Sequence, residues 1–298
     1  MKLSFVVPAH NEENYIGDCL TSILAQKAGA PCDIEVIVVD NASTDRTAEI
    51  ARQYPGVIIV HEPQKGLVRA RGAGFLTSTG DIIANIDADT RLTPGWIAKV
   101  VAAFSKDKNL VALSGPFVYY DAPRKVRFFT HVFYWFGFCF YLVNRFVLRV
   151  GSMLQGGNFI VRRSALNQIG GIDAYDTSIS LNGEDADMAR RLHKVGKVRF
   201  TFSLPAHSSG RRLAKEGGLA TALRYGINYV GVIFTGKPFT GNYQDIRFNQ
   251  KNATYQPENM RKEWVIGICA AIILAALLAG TGYVLYHAVI FARAISQK

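Results

Sequence analysis

Two aspartates, Asp87 and Asp89, follow an apolar run at residues 82–86 and are separated by a single alanine. If the strand continues through them, side chains two residues apart point to the same side, and the carboxylates lie roughly 6–7 Å apart. At an effective dielectric constant of about 20, such a pair repels by about 2–3 kcal/mol. A divalent cation would turn that repulsion into attraction, and carboxylate oxygens suit Mg²⁺ or Mn²⁺. Alternatively, both are turn or capping residues before a helix near Pro94.

The elements that must position these aspartates alternate between strands and helices. From the apolar periodicity we predict strands at 3–7, 35–39, 57–60 and 82–87, and helices at 14–26, 44–53 and 66–77. This order predicts an α/β fold with a mainly parallel sheet covered by helices on both faces. In such sheets ligands bind beyond the carboxyl ends of the strands, where polar clusters fall at 8–13, 40–45 and 87–90.

The second half of the chain is less regular. We predict helices at 94–104 and 184–195, and strands at 111–118, 159–161 and 198–202. Residues 236–258 are polar and rich in turn formers, which is typical of a linker. We therefore predict a globular domain at 1–258 and a separate segment at 259–298.

The bulk composition narrows the choice of partners. The chain has 298 residues and a formal net charge of +11, which suits anionic partners such as nucleotide diphosphates or acidic lipid headgroups. No nucleic-acid-binding motif accompanies the charge, so we expect no nucleic-acid partner. The four cysteines lack zinc or CxxC spacing, which indicates a reduced compartment. The N-terminus resembles a strand rather than a signal peptide, so we expect a cytoplasmic catalytic part.

Two segments have the composition of membrane-associated helices. Residues 264–292 contain no Asp, Glu, Lys or Arg and would reach about 43 Å as a helix, which predicts one C-terminal transmembrane anchor. Residues 128–150 are crowded with aromatic side chains but carry Arg145 and Arg149 one helical turn apart. That pattern favours a helix lying in the membrane interface, with a second span or a core helix as alternatives.

Four short motifs carry a resemblance to a known family. They are the segments 8–13 and 39–45, Asp87-Ala88-Asp89 and Gly183-Glu184-Asp185. Each motif alone is weak, but in this order and spacing they resemble the family 2 glycosyltransferases of the GT-A fold over roughly residues 2–212. The resemblance implies a Rossmann-like fold, a nucleotide-sugar donor (a UDP-sugar first among the candidates) and Mn²⁺ or Mg²⁺ as cofactor.

The resemblance assigns several residues to the nucleotide. Pro8, Ala9 and Glu12 are similar to the first nucleotide-contacting loop, and Asp40 to the acid that binds the base or ribose. Arg71 is similar to the arginine that helps to hold the nucleotide. The alternatives are that Asp40 is a turn or capping acid before the next helix and that Arg71 lies on a solvated helix face.

The resemblance also suggests metal ligands and a diphosphate clamp. Asp87 would serve the ribose or the metal, and Asp89 would be the metal ligand. His207, which follows a strand-like segment, is a candidate further ligand, although a lone histidine is more often structural. Arg211 and Arg212 would clamp the departing diphosphate or, alternatively, meet lipid phosphates.

On the acceptor side, the resemblance points to a glycine-rich loop and an acidic pair. Gly156, Gly157 and Asn158 would approach the acceptor closely, unless they form a simple turn. Asp185 would be the general base of the Glu184-Asp185 pair, with helix capping as the alternative.

These assignments predict a membrane-anchored, inverting and metal-dependent glycosyltransferase that acts on a lipid or lipid-linked acceptor. No QxxRW-type motif follows the acidic pair, which favours transfer of a single sugar over processive synthesis. Two alternatives stay open. One is a polyprenyl-phosphate sugar transferase, whose acceptor is already anionic and needs no base. The other is a catalytically silent nucleotide-sugar-binding scaffold.

Overall fold

A computed structural model describes residues 1–123, 154–172 and 184–217, with a few isolated positions as far as residue 228. The strands are β1 Lys2–Ala9, β2 Asp33–Asn41, β3 Val57–Glu62, β4 Ile82–Ile86, β5 Thr90–Leu92, β6 Leu110–Ser114, β7 Phe117–Tyr119, β8 Asn158–Arg162, β9 Lys197–Phe200 and β10 Ala206–Ser208. The helices are α1 Ile16–Leu24, α2 Thr47–Arg52, α3 Leu67–Thr77, α4 Trp96–Lys106, α5 Arg163–Gln168, α6 Glu184–His193 and α7 Arg211–Glu216.

The main sheet has seven strands in the order β3-β2-β1-β4-β8-β6-β9. Strands β3, β2, β1 and β4 are parallel neighbours, and β6 is parallel to β9. Strand β8 runs antiparallel to both β4 and β6. The predicted α/β fold with a mainly parallel sheet is therefore confirmed, with one reversed strand that the sequence did not predict.

A second, smaller sheet of three strands in the order β5-β10-β7 lies beside the carboxyl end of β4. It arises because the predicted strand 111–118 is two strands, β6 and β7, separated by Gly115 and Pro116. A Cβ at Gly115 would lie only 1.9 Å from the carbonyl oxygen of Leu204, so the two backbones approach too closely for a side chain. Pro116 in turn has no N–H to continue the ladder.

Helices cover both faces of the main sheet, as predicted. On one face α1 and α4 pack against β1 and β4, where the rings of Phe5 and Trp96 are 5.8 Å apart. On the other face α3, α5 and α6 cover a second core. Helix α3 lies so close that a Cβ at Gly74 would come within 2.3 Å of Val6 Cγ1, which fixes the height of the helix above the sheet.

The two predicted membrane segments, 128–150 and 264–292, lie outside the described residues. Within the described parts of the chain, no helix is long and apolar enough to cross a membrane. The predicted anchor, interfacial helix and domain boundary at 258 therefore stay predictions.

Candidate active site

Asp87 and Asp89 lie in a tight turn rather than on a strand. Strand β4 ends at Ile86, and the N–H of Thr90 donates to the carbonyl of Asp87 at 2.9 Å, which closes the turn. The prediction of two carboxylates on one strand face is therefore wrong in its geometry. Because the chain turns between them, the two aspartates pair with different arginines, Asp87 with Arg71 and Asp89 with Arg211.

Arg71 links three carboxylates from distant parts of the chain. Its Nη1 lies 3.3 Å from Asp185 Oδ1 and 3.4 Å from Glu184 Oε1, and its Nη2 lies 3.6 Å from Asp87 Oδ1. Nη2 also donates to the carbonyl of Gly156 at 2.9 Å. With only 3% of its surface exposed, Arg71 lies beneath the acidic pair. This burial excludes the solvated helix face, while the contact between Arg71 and the nucleotide stays a prediction.

Asn41 at the end of β2 positions Arg71, and sequence analysis missed this residue. Its side-chain oxygen accepts from the N–H of Gly66, immediately before α3, at 2.7 Å. Its side-chain nitrogen donates to the carbonyls of Gln64 at 2.7 Å and Glu62 at 3.2 Å. Asn41 thereby attaches the start of α3 to the carboxyl end of the sheet, and Arg71 follows one turn later. The sequence signal that could have identified Asn41 is its position directly after Asp40.

The glycines of the predicted acceptor loop leave space for the carboxylates. A Cβ at Gly156 would lie 2.3 Å from Asp185 Oδ2, and one at Gly157 would lie 2.2 Å from Asp87 Oδ2. The N–H of Asp87 also donates to the carbonyl of Gly157 at 3.3 Å. The loop therefore presses its backbone against both acids, and larger residues would displace them.

Asn158 does not face the site as predicted. Its side chain is fully buried, and its oxygen accepts from Trp96 Nε1 at 3.2 Å. Its nitrogen donates to the carbonyls of Gly115 at 3.1 Å and Leu204 at 3.0 Å. These bonds tie the first residue of β8 to both flanking connections. The predicted contact between Asn158 and the acceptor is therefore corrected to a structural role.

Glu184 and Asp185 occupy the first turn of α6, and their surroundings favour the protonated forms. Burial, together with repulsion from Asp185, raises the pKa of Glu184 to about 8. Burial also raises the pKa of Asp185, although Arg71 opposes the shift. The pair therefore holds a proton more tightly than exposed acids do. A carboxylate of raised pKa is a stronger base, which suits proton abstraction from a hydroxyl.

Arg211 forms a second cluster at the other side of the turn. It donates to both oxygens of Glu12, from Nη2 at 2.5 Å and from Nη1 at 2.8 Å, and Nη2 lies 3.0 Å from Asp89 Oδ2. Its guanidinium lies 4.6 Å from the ring centre of Tyr15, a residue that sequence analysis missed. Burial would lower the pKa of Arg211, but Asp89 and Glu12 outweigh it and raise the pKa.

The three-stranded sheet and Asp121 together position Arg211. Ser208, the last residue of β10, donates from Oγ to Asp89 Oδ1 at 3.4 Å. Asp121, just after β7, accepts from Ser209 Oγ at 2.6 Å and from the backbone N–H of Gly210. Arg211 follows directly as the first residue of α7. The three-stranded sheet therefore connects the Asp87–Asp89 turn to the start of α7.

The predicted metal ligands do not come together as a complete group. In the portion of the chain that the structure describes, no three His, Cys, Asp or Glu side chains form a metal-binding cluster. His207 lies on β10 between Ala206 and Ser208, and strand alternation directs it away from the face that Ser208 shares with Asp89. His207 as a ligand stays a prediction, as does the role of Arg212 on α7.

The predicted nucleotide loops are neighbours at the carboxyl ends of β1 and β2. Pro8 pairs with Val39 and Ala9 with Asp40 in the parallel register. Asp40 Oδ1 accepts from the N–H of Ser43 at 3.3 Å, so the turn interpretation also describes part of its role. Each loop contains a non-glycine residue in the left-handed region, Asn11 with φ 53° and Ala42 with φ 54°. Such strain is often found at ligand sites.

Comparison with known proteins defines the class. The model of glycosyl transferase family 2 matches residues 4–170, more than half of the chain, and the protein belongs to this family. The predicted family is thereby confirmed. The chain spans about half the length of the curated relatives it matches.

Individual relatives show how broad the family is. The chain is 28% identical over 188 residues to the glucosyl-dolichyl phosphate glucuronosyltransferase of Haloferax volcanii, covering 62% of this chain and 59% of the relative. It is 32% identical over 244 residues to a hyaluronan synthase of Pasteurella multocida, covering 72% and 21%. Its fold resembles glucosyl-3-phosphoglycerate synthase of Mycobacterium tuberculosis in complex with Mn²⁺, UDP and glucosyl-3-phosphoglycerate. The TM-score is 0.53 and the identity 20%, with 80% of this chain and 82% of that chain covered.

Proposed function

We propose that this protein transfers a single sugar, with inversion, from a UDP-sugar to a hydroxyl of a lipid or lipid-linked acceptor at a membrane. The observation that carries the proposal is the acidic pair Glu184 and Asp185, held by buried Arg71 beside the Asp87–Asp89 turn. This arrangement sets a candidate base next to a candidate diphosphate site, which is the combination that sugar transfer requires.

The donor would lie across the ends of β1, β2 and β4. The nucleoside would contact Pro8, Ala9 and Asp40, which lie together at that edge because β1 and β2 are paired there. Arg211 and Arg212 at the start of α7 supply positive charge for the diphosphate. UDP as the nucleotide is supported by the bound UDP named for the Mycobacterium tuberculosis neighbour.

The residues of the turn fit a divalent cation. Asp89 already binds a cationic group at 3.0 Å and presents hard oxygen ligands, as does Asp87. Two carboxylates are few for a closed metal site but usual for Mg²⁺ or Mn²⁺ that shares the phosphates of a nucleotide. Asp89, with Asp87, would hold the ion. When bound, it would neutralise negative charge on the diphosphate leaving group.

Asp185 carries the chemical step on the acceptor side. Its carboxylate takes the proton of the acceptor hydroxyl, and the oxygen attacks the anomeric carbon from the face opposite the diphosphate. The bond from the anomeric carbon to the diphosphate oxygen breaks as the new glycosidic bond forms. Burial raises the pKa of both acids, and Arg71 contacts both and fixes their orientation.

A lipid acceptor and a membrane location are supported by composition. Residues 264–292 have the length and apolarity of a span, and residues 128–150 those of an interfacial helix. We propose a single C-terminal anchor with the catalytic domain in the cytoplasm. The name of the Haloferax volcanii relative describes sugar transfer to a glucosyl-dolichyl phosphate, a lipid-linked acceptor with free sugar hydroxyls.

The test is a screen of nucleotide-sugar donors with the full-length protein and Mn²⁺, with and without a membrane lipid extract. Release of UDP that depends on the extract, with a glycolipid product of inverted anomeric configuration, is the expected result. Asp107→Asn is the matched control, because Asp107 lies before β6, outside the site, and pairs with Lys197. Binding of a nucleotide sugar without transfer or hydrolysis of any donor would identify a scaffold instead.

A further inference from the structure

Arg211 occupies the position at which a cation bound by Asp89 would be expected. Its guanidinium makes three short contacts with carboxylate oxygens, two on Glu12 and one on Asp89. It is 15% exposed at the side chain, while Glu12 is 3% exposed and Asp89 is 14% exposed. The ring of Tyr15 lies beneath it at 4.6 Å. The protein thus neutralises two acids of the proposed donor site with a cation of its own.

A divalent ion and this arginine would compete for the same oxygen. Mg²⁺ or Mn²⁺ on Asp89 Oδ2 would lie about 2 Å from that oxygen. Because Arg211 Nη2 is 3.0 Å from the same atom, the ion and the guanidinium would be within about 5 Å of each other. Two positive groups at that separation repel strongly unless an anion lies between them. A nucleoside diphosphate is such an anion.

The arginine belongs to a short element outside the main sheet. Helix α7 has six residues and follows the three-stranded sheet. Its start is held by hydrogen bonds from Ser209 and Gly210 to Asp121, which lies outside the strands. By contrast, the backbone of Glu12 is tied to α2 next to the main sheet, because its N–H donates to Thr47 Oγ1 at 2.7 Å. If one partner of the cluster moves, it is therefore Arg211.

We propose that Arg211 is an internal cation that holds Glu12 and Asp89 while the donor is absent and transfers its contacts to the donor diphosphate when metal and nucleotide bind. The inference rests on the proposed function, because it takes Asp89 as the metal ligand. The proposal predicts how the affinity for the metal ion depends on the nucleotide. Metal alone must displace Arg211 and binds weakly, whereas metal with nucleotide gives the arginine a new anionic partner and binds tightly.

The experiment measures Mn²⁺ binding to the full-length protein from the electron paramagnetic resonance signal of free Mn²⁺, with and without UDP. For the wild type, UDP should tighten Mn²⁺ binding by about tenfold or more. Arg211→Met should tighten the binding of Mn²⁺ alone by a similar factor, about tenfold, and should reduce the effect of UDP. Arg46→Met is the control, since Arg46 is 66% exposed on α2's N-terminal side and pairs only with Glu49 among the ion pairs described. It should match the wild type.

The outcomes separate this inference from the proposed function. If the wild type binds Mn²⁺ and UDP but Arg211→Met binds Mn²⁺ alone no more tightly, the competition is refuted and the transferase proposal stands. If the wild type binds neither, both proposals fall. Should Arg211→Met not fold, as judged by its circular dichroism spectrum, Arg211→Lys replaces it, because lysine cannot donate to both acids in the same fork geometry. Mn²⁺ affinity without UDP should then increase by a smaller factor, and an unchanged affinity overturns the inference.

Discussion

The two arginine–carboxylate clusters on either side of the Asp87–Asp89 turn differ in how they are held. Arg71 comes from α3, which packs tightly on the main sheet, and only 4% of its side chain is exposed. Arg211 comes from the six-residue α7 beside the small sheet, and 15% of its side chain is exposed. The Arg71 cluster is thus part of the core, whereas the Arg211 cluster lies at the start of a short helix.

This difference matches what each cluster is proposed to do. A base must stay oriented throughout the reaction, and a deeply buried guanidinium with three acidic partners achieves this. A donor site must admit and release a charged nucleotide, so its acids need a cation that can be exchanged. The lesson is that one turn can serve a fixed site and an exchangeable site when its two aspartates face different partners.

The largest expected effect is on catalysis at the fixed cluster. Asp185→Asn removes the proposed base while keeping the shape of the side chain, and kcat should fall by about 10²- to 10⁴-fold. Donor binding, measured separately with UDP and Mn²⁺, should be nearly unchanged because Asp185 belongs to the Arg71 cluster. Near-normal turnover in this variant would instead favour a polyprenyl-phosphate acceptor, which is already ionised.

The stability of their methionine variants should distinguish the two arginines. Arg71→Met leaves three acids without their shared cation, so the free energy of unfolding should fall by about 3 kcal/mol or more at neutral pH. Adding Mn²⁺ and UDP should restore little of it. In Arg211→Met, by contrast, the same ligands should restore a large part of the loss, because the ion can bind Asp89 directly and supply the missing positive charge. Urea denaturation measures both, and equal rescue in the two variants would contradict the comparison.

The glycine loop tests how tightly the fixed cluster is packed. Gly156→Ala would bring a Cβ within 2.3 Å of Asp185 Oδ2, so the carboxylate must move. A displacement of about 1 Å at a catalytic group can reduce kcat by about 10²-fold. Gly29→Ala is the matched control, because a Cβ at Gly29 would meet no atom within 4 Å. If Gly156→Ala retains full kcat, the acid is held less rigidly than the contacts indicate.

The pH profile tests the acidic pair. Burial and repulsion from Asp185 raise the pKa of Glu184 to about 8, and burial raises the pKa of Asp185, so the pair binds its proton more tightly than exposed carboxylic acids do. A base must be deprotonated, so kcat/KM should rise with pH through the neutral region and fall about tenfold per unit on the acid side. An acid limb at about pH 4, the range of exposed carboxyls, would refute this environment.

The smallest effect is expected at the support of the exchangeable cluster. Asp121→Ala removes the acceptor of the bonds from Ser209 and Gly210, which should loosen the start of α7. UDP affinity in the presence of Mn²⁺ should weaken a few-fold, since one hydrogen bond contributes about 1 kcal/mol. Asp81→Ala, which removes a surface bond to the N–H of Lys2, is the control and should bind UDP normally. Equal weakening in both variants would argue against a specific role for Asp121.

Much of the fold followed from the sequence because its signals are local. The alternation of β-rich and amphipathic runs gave the four parallel strands and the helices between them, with helix α3 predicted at 66–77 and found at Leu67–Thr77. The antiparallel direction of β8 was missed, because no direction was predicted for that strand, and β7 was merged with β6. Both errors have the same origin, since the direction and sheet of a short strand depend on contacts far away in the chain, such as that of Gly115 with Leu204.

The sequence by itself determined which residue types stand at the carboxyl edge of the sheet, because each polar motif directly follows a strand. Only the tertiary structure decided their pairing. Arg71 and Asp185 are 114 residues apart, and Arg211 and Glu12 are 199 apart, so no local pattern records these ion pairs. The sequence left a solvated helix face open for Arg71 and set both aspartates on one strand face. The folded chain buries that arginine under the base and separates the aspartates with a turn, because burying charge requires a counter-charge that only packing can bring.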